Sequence, residues 1–467
     1  MELMHLPNEL LEHVVGYTLP EGFEGLALTC KRFHALCTAF LVYHNRLRWH
    51  FQRFHYYKTK EVVKSRLAIL QTPDAISSAF NLIARIAVEP VVAHYIQEAD
   101  FVKDSEISMG KPRHFVTDGS HDDAMMRLLA GSPHLKQAGL DWEEYWAVIQ
   151  EDLNDGRYSQ HAAAFALTLL PNVKILGLPK WWKPQAATDQ LIDTIISKAQ
   201  TNPSCSTCLT QVTSLVGHGC ADGRFNLDWA ASFLTLPQVQ YFGATWCKGG
   251  SDGTAALQYE ALESVSFVHA SIDEIEIARF LQNTPRLKTF KFWHSAEEVD
   301  PTQGWDLCQF VTAIEHKVGD HLVDLSVLLD DEPHSIVSPG RASLCGFKSL
   351  ERLQLPLEIV SCNLMAAASE FPESLIQSLI PESITHLSFV SCGTDEEAKA
   401  LAIIFHDFPA VKAQAPSLKE IHLTLPAEAT ELYRDHFAKV SAEIEKAAVV
   451  FKEEPWIQSV TWDDEED

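Results

Sequence analysis

The sequence lacks long apolar runs, dense cysteine and an excess of basic charge. The longest apolar stretch is "AAAFALTLL", 162–170, which is too short to span a bilayer and is interrupted by Thr168. The ten cysteines are scattered over 467 residues, which is typical of reduced thiols rather than of a disulfide framework. The net charge of -26 argues against nucleic acid or an anionic membrane as the main partner, because phosphate binding requires a basic surface.

Export signals and common catalytic motifs are also missing. Glu2, Pro7, Glu9 and Glu12 interrupt the place where the apolar part of a signal peptide would lie, so we expect a location in the cytoplasm, the nucleus or both. The chain has no phosphate-binding loop, no Gly-x-Ser-x-Gly, no His-Glu-x-x-His and no Rossmann glycine pattern. We therefore expect no enzymatic activity and no cofactor, with an enzyme of unrecognised class as the least favoured alternative.

What the sequence does contain, at its start, is a small helical unit. The spacing of Leu6, Leu10 and Val14 predicts a helix over residues 3–17, with Pro7 in its first turn. After the break "LPEG", 19–22, a second helix is predicted to carry one apolar side formed by Phe23, Leu26, Ala27, Cys30, Phe33 and Cys37. A third is predicted from Phe40 to Phe54. So small a unit cannot bury all its apolar side chains alone, so either the following segment or a partner must cover them.

From about residue 126 a second pattern recurs, in which a turn precedes a short strand with alternating apolar positions. The clearest copies are 169–178, 235–244, 261–270, 283–293, 319–329, 346–355, 381–390 and 415–425, and weaker copies are 131–140 and 208–217. Amphipathic, helix-like stretches lie between them. Strand–helix units of this kind bury a continuous core by stacking, which favours a solenoid with its strands along one concave face. The alternative is an ordinary α/β domain with parallel strands.

The N-terminal stretch "LPNELLEHVVGYTLPEGFEGLALTCKRFHAL", 6–36, resembles an F-box. Its first half-motif consists of Leu6, Pro7, Glu9, Leu10, Leu11 and Val14, and its second of Leu26, Cys30, Lys31, Arg32, Phe33 and Leu36. The repeat region is similar to the degenerate leucine-rich-repeat domain of many fungal F-box proteins. The resemblance implies an α/β chain in which a small all-helical F-box precedes an irregular leucine-rich-repeat-like solenoid, a curved parallel sheet with outer helices.

This resemblance also implies a domain organisation and a function. The expected domains are an F-box at 1–55, a helical linker or insertion at 56–125, the solenoid at 126–455 and an acidic tail at 456–467. The box would bind the Skp adaptor of a cullin–RING ubiquitin ligase, and the repeats would hold a protein substrate. The alternative is an interaction scaffold without a degradative role. The residues expected to bind the adaptor, or to form the core that presents it, are Leu6, Pro7, Leu10, Leu11, Val14, Leu26, Cys30, Phe33 and Leu36.

Two further groups of residues have open interpretations. Cys205, Cys208, His218 and Cys220 either bind zinc or are ordinary reduced thiols and a histidine, and we favour the latter. Tryptophans are spread through the repeat region, and they either anchor a substrate from loops or close the ends of an irregular core. They are Trp142, Trp146, Trp181, Trp182, Trp229, Trp246, Trp293 and Trp305, of which Trp181, Trp182, Trp246 and Trp293 follow predicted strands.

Overall fold

The chain is an α/β protein with a large parallel sheet to which twelve strands belong. A computed structural model describes residues 5–54, 76, 78–101, 119–155, 157–178, 185–201, 208–219, 223–250, 257–295, 305–330, 339–366 and 378–454. The chain divides into two compact units, one formed by Met1–His218 with Trp229–Gln240 and the other by Gly219–Asp228 with Tyr241–Asp467.

The first unit combines the N-terminal helices with four strands that pair in parallel in the order β1-β2-β3-β4. Its elements are α1 (Asn8–Tyr17), α2 (Phe23–Thr29), α3 (Lys31–Phe51), β1 (Arg53–Phe54), α4 (Ala79–Val88), α5 (Val92–Tyr95), β2 (Glu98–Asp100), α6 (Gly119–Ala130), α7 (Pro133–Gln137), α8 (Trp142–Asn154), α9 (Gln160–Leu167), β3 (Ile175–Leu178), α10 (Ala186–Thr201), β4 (Ser214–His218) and most of α11 (Asp228–Leu234). Two strands, β1 and β2, thus lie before residue 126.

The second unit has eight parallel strands paired in chain order, from β6 through β8 to β14. Its elements are β5 (Phe225–Asn226), β6 (Tyr241–Thr245), β7 (Cys247–Lys248), β8 (Ser264–Ala270), α12 (Glu274–Leu281), β9 (Thr289–His294), α13 (Leu307–Val318), β10 (Asp324–Leu329), β11 (Arg352–Pro356), α14 (Glu358–Ala366), β12 (His386–Val390), α15 (Asp395–Ile404), α16 (Phe408–Gln414), β13 (Glu420–Thr424), α17 (Glu431–Lys446) and β14 (Val450–Glu454). The short strands β5 and β7 form a separate parallel pair.

The strands of the second unit bury their large apolar side chains on one face. Side chains alternate along each strand, so the apolar positions of neighbouring strands fall on one side. Leu325, Leu353 and Leu387 occupy equivalent register positions there and are almost wholly buried. Helices pack on this side: the rings of Phe292 in β9 and Phe310 in α13 lie 4.5 Å apart, measured between centroids.

Polar residues at the ends of strands start the helices that follow. The carboxylate of Asp273 accepts the backbone N–H groups of Ile275 and Glu276, while Glu276 accepts the N–H of Asp273. Thr394 and Glu397 form the same reciprocal arrangement at α15. Such capping boxes satisfy backbone donors that the first helical turn leaves unpaired.

The helix boundaries near the N-terminus differ from those predicted. The first helix starts at Asn8 rather than at residue 3, because Pro7 is its extended N-cap and the residue before a proline avoids helical geometry. The second ends at Thr29, since Cys30 is extended with φ −160°. Phe33 and Cys37 therefore belong to α3, which begins at Lys31 rather than at Phe40. The apolar periodicity continues across Cys30, so it conceals the break.

One of the ten strand predictions is wrong. Nine of the ten predicted copies contain a strand, but 131–140 contains the helix α7 instead. Ser132 caps this helix and Pro133 occupies its first turn, a combination that favours helix initiation. The strands β1, β2, β5, β7 and β14 were not predicted, and the first four have only two or three residues each. Among the described helices, none is both long and apolar enough to cross a membrane.

Candidate functional site

The three N-terminal helices enclose a core of their own. It consists of the buried side chains of Leu11, Val15, Leu19, Phe23, Phe33 and Cys37. Leu11 and Val15 are one turn apart on α1 and completely buried, and they fix which face of that helix points inward.

The guanidinium of Arg32 joins the two halves of the N-terminal motif. Its Nη2 donates to the carbonyl of Leu6 at 2.8 Å and to Oδ1 of Asn8 at 2.7 Å, and its Nε donates to the same Oδ1. The start of α3 is thereby attached to the start of α1. Two sequence segments that lie more than twenty residues apart form one local structure.

A stripe of apolar side chains on α1 faces away from this core. We call Leu10, Val14 and Tyr17 the α1 stripe, since residues spaced by three and four positions share one helix face. Leu10 is 49% exposed, Tyr17 is 89% exposed and Val14 is half-buried. A contiguous apolar stripe on a helix that already has a complete buried face is a candidate contact surface.

The nine residues predicted to bind an adaptor are thus brought into one unit, but in different environments. Leu11 and Phe33 are buried in the core. Pro7 and Leu10 are exposed. The other five are half-buried. Four of them pack against the core, namely Leu6, Leu26, Cys30 and Leu36, and the fifth is Val14 in the α1 stripe.

The following segment covers the other side of α3. His44 Nδ1 lies 2.8 Å from the hydroxyl of Tyr95 in α5, and the hydroxyl of Tyr43 donates to Glu89. Burial lowers the pKa of His44, and burial together with Glu89 raises the pKa of Tyr43 to about 12. The surplus apolar surface expected of this unit is therefore partly covered within the chain. The α1 stripe stays exposed, as do Leu28, Val42 and Trp49 on the other two helices.

A second candidate surface is the polar face of the sheet in the second unit. It lies opposite the helix-covered face and we call it the open face. Its residues are Thr289, Lys291, Asp324, Ser326, Arg352, Gln354, His386, Ser388, Glu420, His422 and Lys452, aligned from strand to strand by the parallel register. Parallel sheets are usually covered on both faces and are then apolar on both. A polar face on such a sheet therefore marks surface that can contact another molecule.

Ion pairs order the side chains of the open face. Both Nε and Nη2 of Arg352 lie 3.0 Å from Oδ2 of Asp324 on the neighbouring strand. Glu420 is surrounded by Lys452, His422 and His386. The hydrogen bonds from Lys452 and then from His422 lower the pKa of Glu420 to about 2.

Two of the predicted tryptophans meet at the border of the open face. The ring of His269 lies between Trp246 and Trp293, with centroid distances of 4.8 and 4.9 Å. His269 Nδ1 is 3.0 Å from Oδ1 of Asp330, and we call Trp246, His269, Trp293 and Asp330 the Trp–His group. Trp246 and His269 both adopt left-handed backbone conformations, with φ of 49° and 52°, which is unusual for residues other than glycine. Trp293 follows Lys291 by two residues and so lies on the same face.

Two of the other tryptophans, Trp146 and Trp305, support the alternative of core closure. Trp305 is 9% exposed and stacks on His294 with centroids 4.0 Å apart, and Trp146 stacks on Phe80. Trp181 and Trp182 lie outside the described residues. The contact between His269 and Asp330 was not predicted from the sequence, because only the pairing of the strands brings these two residues together.

The residues weighed as zinc ligands are only partly described. Cys205 and Cys220 lie outside the described residues. The thiol of Cys208 donates to the carbonyl of Thr168 at 2.8 Å, and burial raises the pKa of Cys208 to about 11. A protonated thiol bonded to the backbone favours the interpretation as an ordinary buried cysteine.

Comparison with known proteins adds no family assignment. No protein-family model matches the chain, and no curated protein matches it. The functional interpretation of the α1 stripe, the open face and the Trp–His group therefore depends on their exposure, charges and contacts.

Proposed function

We propose that this chain is the substrate-recognition subunit of a Skp–cullin–F-box ubiquitin ligase in the cytoplasm, the nucleus or both. Its N-terminal helices would act as an F-box that binds the Skp adaptor. Its strand–helix units would form a leucine-rich-repeat-like solenoid that holds a protein target. The chain itself would supply no catalytic group, because placing a target lysine near a charged ubiquitin carrier is an effect of proximity.

The observation that carries the proposal is the exposed α1 stripe on a helix that already packs well on its inner face. Leu10 and Tyr17 expose large apolar surfaces beside the exposed Pro7. Large apolar side chains at the centre of a contact contribute most of its binding energy. The segment 1–60 carries seven Lys and Arg against five Asp and Glu, whereas the chain as a whole has a net charge of -26. That local balance favours an acidic partner at this end.

The strand order supports the second half of the proposal. Parallel strands that follow one another in chain order, joined by right-handed crossovers, have all their helices on one face. The open face would then be the face for a target, as the concave face is in solenoid proteins. The tryptophans of the Trp–His group supply aromatic surface at its border.

Adaptor binding is tested with the full chain and a purified Skp adaptor. The double variant Leu10→Ala/Tyr17→Ala should weaken binding at least tenfold, while Val42→Ala should leave it unchanged. Val42 is a fair control because it is 81% exposed but lies on the side of α3 opposite the core. Equal binding by both variants, with wild-type thermal unfolding, would overturn the F-box assignment.

A second experiment distinguishes a degradative substrate receptor from a scaffold without a degradative role. A chain lacking residues 5–54 should retain its target without promoting its degradation, and deletion of the whole protein should raise the level of the same target. Stable target levels on deletion, together with normal adaptor binding, would instead indicate the scaffold without a degradative role.

A further inference from the structure

Three side chains with metal-binding atoms converge at the carboxyl ends of β11 and β12. Glu358 is the first residue of α14, Cys392 follows β12 by two residues, and Glu397 lies in the first turn of α15. One ligand atom from each of the three lies within 4.8 Å of the other two. The carboxyl ends of parallel strands are where α/β proteins usually bind ligands.

The carboxylate of Glu397 is held firmly in place. It is 3% exposed, its Oε1 accepts the N–H of Cys392 at 2.8 Å, and its Oε2 accepts both donors of Thr394 at 2.7 and 2.9 Å. An ionised carboxylate offers about four acceptor positions. Oε1, which accepts one of these three hydrogen bonds, therefore keeps a lone pair that can bind a cation.

The carboxylate of Glu358 provides an independent sign of a missing partner. Its Oε2 is buried and has no hydrogen-bond partner among the described residues. A buried carboxylate oxygen without a hydrogen-bond partner is unfavourable, and a cation bound to that oxygen removes the penalty.

We infer that Glu358, Cys392 and Glu397 bind one zinc ion. Zinc accepts both carboxylate oxygen and thiolate sulfur, and it commonly takes three protein ligands with water in the fourth position. Calcium and magnesium prefer oxygen ligands throughout and do not suit the cysteine. On binding, the thiol of Cys392 releases its proton to solvent and the sulfur bonds to the metal. The ion would join the start of α14 to the loop between β12 and α15.

The test uses Co²⁺ as a spectroscopic probe for zinc, with the full chain freed of metal by a chelator. Thiolate bound to Co²⁺ gives a strong near-ultraviolet charge-transfer band. We expect a band that saturates at one equivalent of Co²⁺ and disappears on addition of Zn²⁺. It should be absent in Cys392→Ser and present in Cys345→Ser, which removes another exposed cysteine. Glu358→Gln should raise the Co²⁺ dissociation constant at least tenfold.

Other results would overturn the assignment. One is a wild-type chain with no saturable band, and another is an unchanged band in Cys392→Ser. A band lost in Cys208→Ser but kept in Cys392→Ser would place the metal at the other cysteine group. Thermal unfolding of each metal-free variant checks that the fold is intact. All four substitutions are independent of the α1 stripe, so the result does not depend on the proposed adaptor.

Discussion

His294 is a single residue whose burial makes the stability of the chain depend on pH. It is 2% exposed and stacked on Trp305, and its Nδ1 has no hydrogen-bond partner among the described residues. Burial lowers the pKa of His294 to about 4, Arg224 acts in the same direction, and Asp330 opposes it. The unfolded chain, whose histidine titrates near 6.5, therefore binds this proton more tightly than the folded chain.

The free energy of unfolding should accordingly be highest above pH 6.5 and fall as the pH decreases to about 4. The loss from this one group is about 3 kcal/mol. Urea unfolding at a series of pH values measures it. His294→Phe keeps a ring against Trp305 and should flatten this part of the profile, whereas His316→Phe, at an exposed position, should not. Equal profiles for both variants would contradict the prediction.

Two neighbouring leucines on α1 should respond to the same substitution with very different losses of stability. Leu11 is completely buried, so Leu11→Ala should lower the free energy of unfolding by about 2–5 kcal/mol. Leu10 is 49% exposed, and Leu10→Ala should change it by less than about 0.5 kcal/mol. Chemical denaturation of the two variants gives the comparison, and a larger loss for Leu10→Ala would show that the inward face of α1 is assigned wrongly.

At the scale of elements, the recurring strands were easier to predict than the helix ends. The strands that repeat after residue 169 could be predicted because alternating apolar residues leave a direct mark on the sequence. The break at Cys30 could not, because it interrupts neither the apolar periodicity nor the composition. The left-handed conformations of Trp246 and His269 could not be predicted either, because neither residue is a glycine.

The capping box of α12 provides a test at this scale. Asp273→Ala removes the acceptor of two backbone N–H groups and should lower the free energy of unfolding by about 1 kcal/mol. Asp273→Asn keeps a side-chain oxygen and should have a much smaller effect. The two variants are compared by denaturant unfolding, and an equal loss in both would mean that charge rather than capping stabilises this end of the helix.

At the scale of the whole molecule, net charge is the dominant property. With a formal charge of -26, the folded chain repels itself, and salt screens that repulsion. The melting temperature should therefore rise when NaCl is increased from about 20 mM to about 200 mM. Differential scanning calorimetry measures the change, and a constant or falling melting temperature would show that local ion pairs outweigh the net charge.

Residues that act together in this molecule are often far apart in the sequence. Glu358 and Cys392 belong to successive strand–helix units and meet because β11 and β12 are paired. The Trp–His group draws on four successive strands in the same way. The class of fold could be predicted from local patterns, but these groups required the register of the sheet, which depends on how whole strands pack.

The separation of the open face from the core has a consequence for evolution and for engineering. Side chains such as Lys291, Gln354 and His422 point away from the buried leucines on the same strands. Each can be exchanged without changing the volume of the core, so new binding preferences can arise by single substitutions at little loss of stability. A library randomised at these positions would vary the charge and hydrogen-bonding groups of the open face while the core stays the same. A one-residue insertion within a strand would instead exchange the two faces.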